Sequence, residues 1–463
     1  MKDASGATAR GERSGAQSFS YRLLRRAIDV RPGEVVALGW SWLYIFALLS
    51  SYYIMRPIRD QMGVAGGVQN LQWLFAGTLA AMLLLNLPFW YLVKTLPRRR
   101  FISITYRFFA LNILLFAAAL YWADAAETIW VGRAFFIWIS AFNLFVVSVF
   151  WQFMVDVFSA EDGKRLFGFI AAGATIGAIV GSGTTATLAR HVPVWGLLIG
   201  AALMLELAVL SVRQLSRLSS ELHTRPEEER DENLPVGGTI LSGIIHPFRS
   251  SYLLNVSLFL LLFAITATFL YFQQAAIVGS TFKDRGAQTA FFATIDLAVN
   301  VLTLFVQLFL TGRIVRTFGV GPTLALLPAL TIVGFGTLAV LPSLGPLVLF
   351  QVLRRSGDYA VARPAREVLY TVLPREDRYK AKSFIDTIVY RAGDQVGAWS
   401  FTLLSTYLAL DPKAVAATAV GLAAIWFFNG LWLGRKQEAM AVPRTEASGA
   451  ASVAPDTRVS SQM

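Results

Sequence analysis

The chain has no cysteine, and its three histidines, His191, His223 and His246, lie far apart. Without cysteine there is no disulfide framework and no thiolate metal site. Isolated histidines do not build an imidazole cluster, so no metal or other cofactor is expected. No Gly-Lys-Ser/Thr sequence occurs, which excludes the phosphate-cradling loop of an ATPase. No nucleophile–base constellation stands out either, so an enzyme is not expected. Charge is also scarce. Only 15% of the 463 residues are charged, against about 25% in ordinary soluble domains. The net charge of +12 lacks an accompanying aromatic-basic module, so no nucleic-acid partner is expected.

What the chain has instead is apolar sequence, 55% of all residues. It falls into runs of about 20 residues, long enough to cross a bilayer as helices. Twelve spans are expected, over 39–55, 70–93, 101–122, 129–158, 166–189, 194–212, 252–278, 288–311, 320–341, 346–362, 383–408 and 413–433. The fold class is therefore an all-α polytopic membrane protein. A charged stretch, RPEEERDENLP, divides the spans six and six. The expected organisation is a tail (1–38), a six-helix bundle (39–212), a linker (213–250), a second bundle (251–434) and a disordered tail (435–463). No cleavable signal peptide is visible, and Phe19–Val30 suits either a short amphipathic surface helix or a solvated tail.

The halves carry a faint repeat. Glu161-Asp162 and Phe169-Ile170 recur 215 positions later as Glu376-Asp377 and Phe384-Ile385. Paired six-helix halves are the plan of major-facilitator transporters, with the substrate site between them near the midplane. Lysine and arginine gather in the tails and in the even-numbered connections. The positive-inside rule then puts both termini in the cytoplasm.

One stretch sets the chemistry. Residues 354–397 are dense in arginine, lysine and carboxylates, yet they lie among apolar spans. A charge at membrane depth costs a few kcal/mol or more, so it faces a polar cavity or a partner. Arg354, Arg355 and Asp358 fall in the tenth span, where Arg355 and Asp358, at i and i+3, are placed to pair or to meet substrate. Lys382 and Asp386, at i and i+4, share a face at the start of the eleventh span, with Arg391 and Asp394 following. Ion pairs here suit gates between inward and outward states.

The first span ends in Arg56, Arg59 and Asp60 around Pro57. Arginine's planar fork suits phosphate, and two arginines three apart share a helical face. Snorkelling to headgroups is the alternative. Asp156, Glu161, Asp162, Lys164 and Arg165 read as a structural latch in the first half. Glu206 and Asp296 are lone acids, each a proton carrier or the packed partner of an arginine such as Arg107. Asn143, Gln152, Asn255, Gln273, Gln274 and Asn300 are low-specificity cavity candidates. Gly173, Gly177 and Gly181 form a close-packing helix face.

These charged stretches resemble one family. SYYIMRPIRDQMGV, FWQFMVDVFSAEDGKRLFGFIAAGATIGAIVGS and DYAVARPAREVLYTVLPREDRYKAKSFIDTIVYRAGDQVG are similar to the first, the fourth-to-fifth and the tenth-to-eleventh span regions of the nucleotide (ATP:ADP) antiporters of plastids and intracellular bacteria. The resemblance implies a major-facilitator-type exchanger covering about residues 39–434. It places the family's first-span cation on Arg59, where lysine is usual, and its eleventh-span lysine on Lys382. A fourth-span acid falls on Asn143, which cannot ionise, and an eighth-span acid falls on Asp296.

The expected function is therefore secondary transport of a phosphorylated organic anion, a nucleotide first, by a monomer surrounded by membrane lipids. Arg56, Arg59, Arg354, Arg355 and Lys382 would bind negative charge. Asp60, Asp156, Asp296, Asp358, Asp386 and Asp394 would couple or gate. The alternatives are a proton-coupled carrier of another solute and a non-transporting lipid-handling protein.

Overall fold

The computed structural model describes residues 30–31, 34–95, 98–222, 250–374 and 381–452. The surface helix considered at 19–30, most of the linker and the connection at 375–380 lie outside the described residues, apart from Val30. Among the described residues there is helix and no strand. Long apolar runs leave a helix as the way to satisfy every backbone N–H and C=O inside lipid.

The helices are α1 (Val35–Ala65), α2 (Leu71–Thr95), α3 (Arg98–Trp122), α4 (Ala125–Val157), α5 (Ala160–Leu188) and α6 (Val194–Leu222). The second set is α7 (Ser251–Thr281), α8 (Arg285–Phe309), the short α9 (Thr311–Phe318), α10 (Val320–Val340) and α11 (Leu344–Gly357). Then come α12 (Arg363–Leu369), α13 (Tyr390–Thr402) and α14 (Pro412–Ser452). Side-chain caps start several of them: Ser159 accepts from Asp162 N for α5, and Asp284 accepts from Ala287 N for α8. Each satisfies a donor that a helix start leaves open.

Ten helices among the described residues are long and apolar enough to span a membrane. Twelve were expected, and the difference has a cause. The tenth and eleventh spans are broken by π turns at Asp358–Ala362, Ile385–Val389 and Leu403–Tyr407, so neither forms one long α-helix. The tail expected to be disordered from 435 instead continues α14 to Ser452.

The surface fits a bilayer. Leu84, Leu115, Leu203, Leu308 and Val333 are exposed. Tyr121, Trp122, Trp130 and Tyr407 are exposed as well, at helix ends where aromatic rings favour the membrane–water boundary.

Two compact units form. One takes α1 up to Arg56, α2 from Leu84, α3, α4 from Trp138, α5 and α6. The other takes α1 from Pro57, α2 up to Leu83, α4 up to Ile137, and everything from α7 onward.

In the first unit the glycine face of α5 packs on α1. A Cβ on Gly173 would meet the Trp42 carbonyl oxygen at 3.0 Å, and one on Gly181 would meet the Ser50 oxygen at 2.5 Å. Gly177 lies closer still to the Phe46 oxygen. Ser50 Oγ donates to the Gly177 carbonyl at 3.1 Å, which ties the two backbones. The second unit repeats this contact between α13 and α7. A Cβ on Gly393 would meet Leu261 O at 3.1 Å, and one on Gly397 would meet Ile265 Cα at 3.0 Å. Phe46 and Ser50 correspond to Leu261 and Ile265 at an offset of 215, whereas Gly177 and Gly181 correspond to Gly393 and Gly397 at 216. The π turn Ile385–Val389 accounts for the added residue.

Of the residues expected to form a latch, Asp162 and Arg165 pair at the start of α5, joined by Glu34 and Arg31. Arg165 Nη2 contacts Glu34 Oε1 at 2.9 Å and also Asp162. Arg31 Nη1 lies 3.7 Å from Asp162 Oδ1. Asp162 precedes the membrane-spanning stretch, which begins at Arg165. Burial pushes its carboxyl up, but the Ser159 hydroxyl and the Arg165 and Arg31 guanidiniums outweigh burial and hold it below the ordinary carboxylate value. A lowered folded value contributes stability that is complete above the unfolded value of about 3.9 and is lost as pH falls through the folded one. Asp162→Asn should therefore melt below wild type at pH 7. That gap should shrink as the pH falls below about 3.9, and a gap independent of pH would remove the charged latch.

Candidate functional site

α1 stays helical through Pro57, which cannot donate to the Tyr53 carbonyl. Just beyond it, the Arg59 fork closes on Asp60. Arg59 Nε and Nη2 donate to Asp60 Oδ1 at 2.9 and 2.6 Å. Tyr271 of α7 donates its hydroxyl to the same oxygen at 3.1 Å. The Arg59 guanidinium lies 5.1 Å from the centre of the Phe136 ring and 5.9 Å from that of Tyr271. Phe75 packs against Phe136, Tyr271 and Phe272, and Gln395 Nε2 donates to its carbonyl at 3.1 Å. One turn of α1 thus holds a buried carboxylate, a mostly buried arginine and an aromatic cage. Tyr271 and Phe136 were not singled out in the sequence. Tyr271 stands beside Gln273 and Gln274, so a polar patch in an apolar span was its signal.

The Arg56 guanidinium lies 5.6 Å from the Tyr53 ring centre.

The second constellation lies on α8 and α11. Arg355 Nη1 contacts Asp296 Oδ1 at 2.7 Å, and both side chains are largely buried. The pairing of Arg355 with Asp358 that the i, i+3 spacing suggested does not occur. Asp358 pairs with Arg363 at 3.0 Å. The π turn that begins at Asp358 explains this, because π geometry brings i and i+5 together. Arg354 is buried and donates to the Phe263 carbonyl and to Thr266 Oγ1, each at 3.1 Å, so it braces α11 against α7. Gln351 and Gln274 hydrogen-bond in the same interior.

Lys382 departs from expectation too. Its ammonium meets Glu367 at 2.5 Å, while Asp386 sits exposed in the following π turn. Exchanging the charges of Lys382 and Glu367 should recover the melting temperature lost by each single reversal, whereas exchanging Lys382 with Asp386 should not. The pair is part-exposed, so each loss should stay under about 1 kcal/mol at low salt.

Asp394 is buried and pairs with Arg391 at 3.2 Å. Asp156 is half-buried in the last turn of α4. Glu206 lies 4.0 Å from Arg107 with both side chains about half exposed, so its partner is the arginine suggested for it. Among the described residues no group of histidine, aspartate and glutamate could hold a metal ion.

Solved structures with this helix arrangement are membrane carriers. A POT family transporter in complex with 5-aminolevulinic acid aligns with a TM-score of 0.60 at 12% identity, over 86% of this chain and 96% of that one. The nucleoside transporter NupG, as a point mutant, aligns with a TM-score of 0.56 at 13% identity, over 86% and 99%. The fold is that of the major-facilitator transporters.

Sequence comparison adds a second group to the major-facilitator likeness. The chain is 26% identical over 170 residues to ADP,ATP carrier protein 1 of Chlamydia muridarum, 32% of each protein. It is 22% identical over 206 residues to ADP,ATP carrier protein 1 of Chlamydia pneumoniae, 40% of this chain and 39% of that protein. The matched part is thus about a third of the length of these curated relatives. No protein-family model matches the sequence. The resemblance read from the charged stretches holds as a partial and divergent similarity.

Proposed function

We propose that the chain is a secondary transporter that moves a phosphorylated organic anion, a nucleotide in the first instance, by alternating access. The observation that carries this reading is the partial similarity to proteins named ADP,ATP carriers. The chemistry supports it. Arg59 and Arg355 are buried or nearly so, and each engages one carboxylate, Asp60 or Asp296. A phosphate group offers the same geometry to an arginine fork and more negative charge. Each pair is then a cation held neutral until an anion competes for it. Burying a neutral pair costs less than burying a lone guanidinium, so the empty carrier remains stable. The chain would work as a monomer in the inner membrane of a bacterium, with both termini cytoplasmic by its lysine and arginine distribution.

Melting of the purified protein tests the solute class. ADP or ATP at about a hundred times its Kd should stabilise the fold by about 2.7 kcal/mol, adenosine should add nothing, and Arg59→Ala should erase the shift. Equal stabilisation by adenosine would point to a site that reads the base, with phosphate irrelevant.

A further inference from the structure

α8 carries polar residues along one interior face. Asp296, Asn300 and Thr303, at i, i+4 and i+7, are all buried. Arg355 of α11 reaches Asp296 at 2.7 Å. Further along, the end of α8 and the start of α9 are held to the π turn that follows α11: Gln307 Nε2 donates to the Tyr359 carbonyl at 3.3 Å, and Thr311 Oγ1 donates to the Ala360 carbonyl at 2.8 Å. Asn300 and Thr303 therefore stand between the ion pair and these bonds, about one and two turns from Asp296.

Asn300 Nδ2 and Thr303 Oγ1 are fully buried, and neither has a hydrogen-bond partner among the described residues. A buried polar atom left so costs about 1–3 kcal/mol and calls for an explanation, a bound water or ion being one. The donors define what that is. An amide N–H, a hydroxyl and a guanidinium can all donate hydrogens, which suits an acceptor. An apolar occupant would leave the Asn300 amide and the Thr303 hydroxyl unsatisfied.

We propose that Arg355, Asn300 and Thr303 form an oxyanion subsite for a phosphate group of the transported solute, and that Asp296 is the built-in carboxylate that this phosphate displaces from Arg355. The proposal rests on the reading of the chain as an anion carrier. It adds a specific consequence: the acid competes with the solute, so removing it should tighten binding.

The test is ADP and pyrophosphate binding to the purified full chain by titration calorimetry, with Asp296→Asn, Arg355→Gln, Asn300→Leu and Thr303→Val. Asp296→Asn should bind both ligands about tenfold tighter, and Asn300→Leu and Thr303→Val about tenfold more weakly, near the loss of one hydrogen bond to a charged group. Arg355→Gln should bind at least about a hundredfold more weakly. If Arg355→Gln fails to fold, the Asn300 and Thr303 variants carry the test. A purely structural ion pair predicts that Asp296→Asn binds no better than wild type, and that result overturns the proposal. Wild type that binds ADP while the Asn300 and Thr303 variants match it overturns the subsite alone. Wild type that binds neither ligand overturns the anion-carrier reading as well.

Discussion

Gly177→Leu should leave little folded protein, the largest structural loss expected of any single change in the first unit. A Cβ at Gly177 would fall well inside van der Waals contact distance of the Phe46 carbonyl oxygen, and Phe46 Cα lies 3.0 Å from the same point. These are backbone atoms, so no rotamer change relieves the clash. The helices would have to part. Parting them would cost the Ser50 Oγ to Gly177 O bond at 3.1 Å and strain the Thr185 Oγ1 to Ile54 O bond at 3.3 Å. Overpacking in a tight core costs about 1–3 kcal/mol or more, and the lost hydrogen bonds add about 1 kcal/mol each. The smaller Gly177→Ala should lose less and keep the same sign. The check is the monodisperse yield and melting temperature in detergent. Gly168→Leu serves as the control, because a Cβ there meets nothing within 4 Å. If Gly177→Leu and Gly168→Leu melt alike, the α1–α5 contact is not what it is described to be.

Asp60→Leu should be nearly as costly. Asp60 Oδ1 accepts two bonds from Arg59 and one from Tyr271. Its loss removes the carboxylate that these bonds hold against the Arg59 guanidinium, which is 17% exposed. Removing one partner of a buried pair costs about 3–5 kcal/mol; the Phe136 and Tyr271 rings near Arg59 reduce that by about 1–2 kcal/mol. The double variant Arg59→Leu, Asp60→Leu should recover most of the loss, since exchanging a buried pair for apolar side chains is often neutral. Thermal unfolding of the singles and the double gives the coupling directly. A double variant that simply sums the two singles would show that Arg59 and Asp60 do not act as a pair.

Much of this was legible in the sequence because hydrophobic run length and lysine–arginine placement are local signals. The apolar spans and the glycine face could be read without coordinates, and so could the need of Arg59, Asp60, Arg355 and Asp296 for polar partners inside apolar spans. The pairings could not. Helical spacing matched Arg355 with Asp358 and Lys382 with Asp386, which assumes an unbroken α-helix. The π turns at Asp358–Ala362 and Ile385–Val389 break that assumption, and nothing in DYAVA or IDTIV marks them. The actual partners, Asp296 for Arg355 and Glu367 for Lys382, come from other helices, where one sequence gives no register. Tyr271 was overlooked for a related reason. In an apolar span a tyrosine reads as packing, and only the approach of α1 within the second unit shows its hydroxyl on Asp60.

Nucleotide counterflow is the most direct measurement. Proteoliposomes would be loaded with unlabelled ADP, labelled ATP added outside, and wild type compared with Arg59→Ala at equal reconstitution. Exchange through a cationic path requires uptake that depends on internal nucleotide and disappears in the variant. Folded wild-type protein that takes up no label alongside an active control carrier, or uptake that survives Arg59→Ala unchanged, contradicts it.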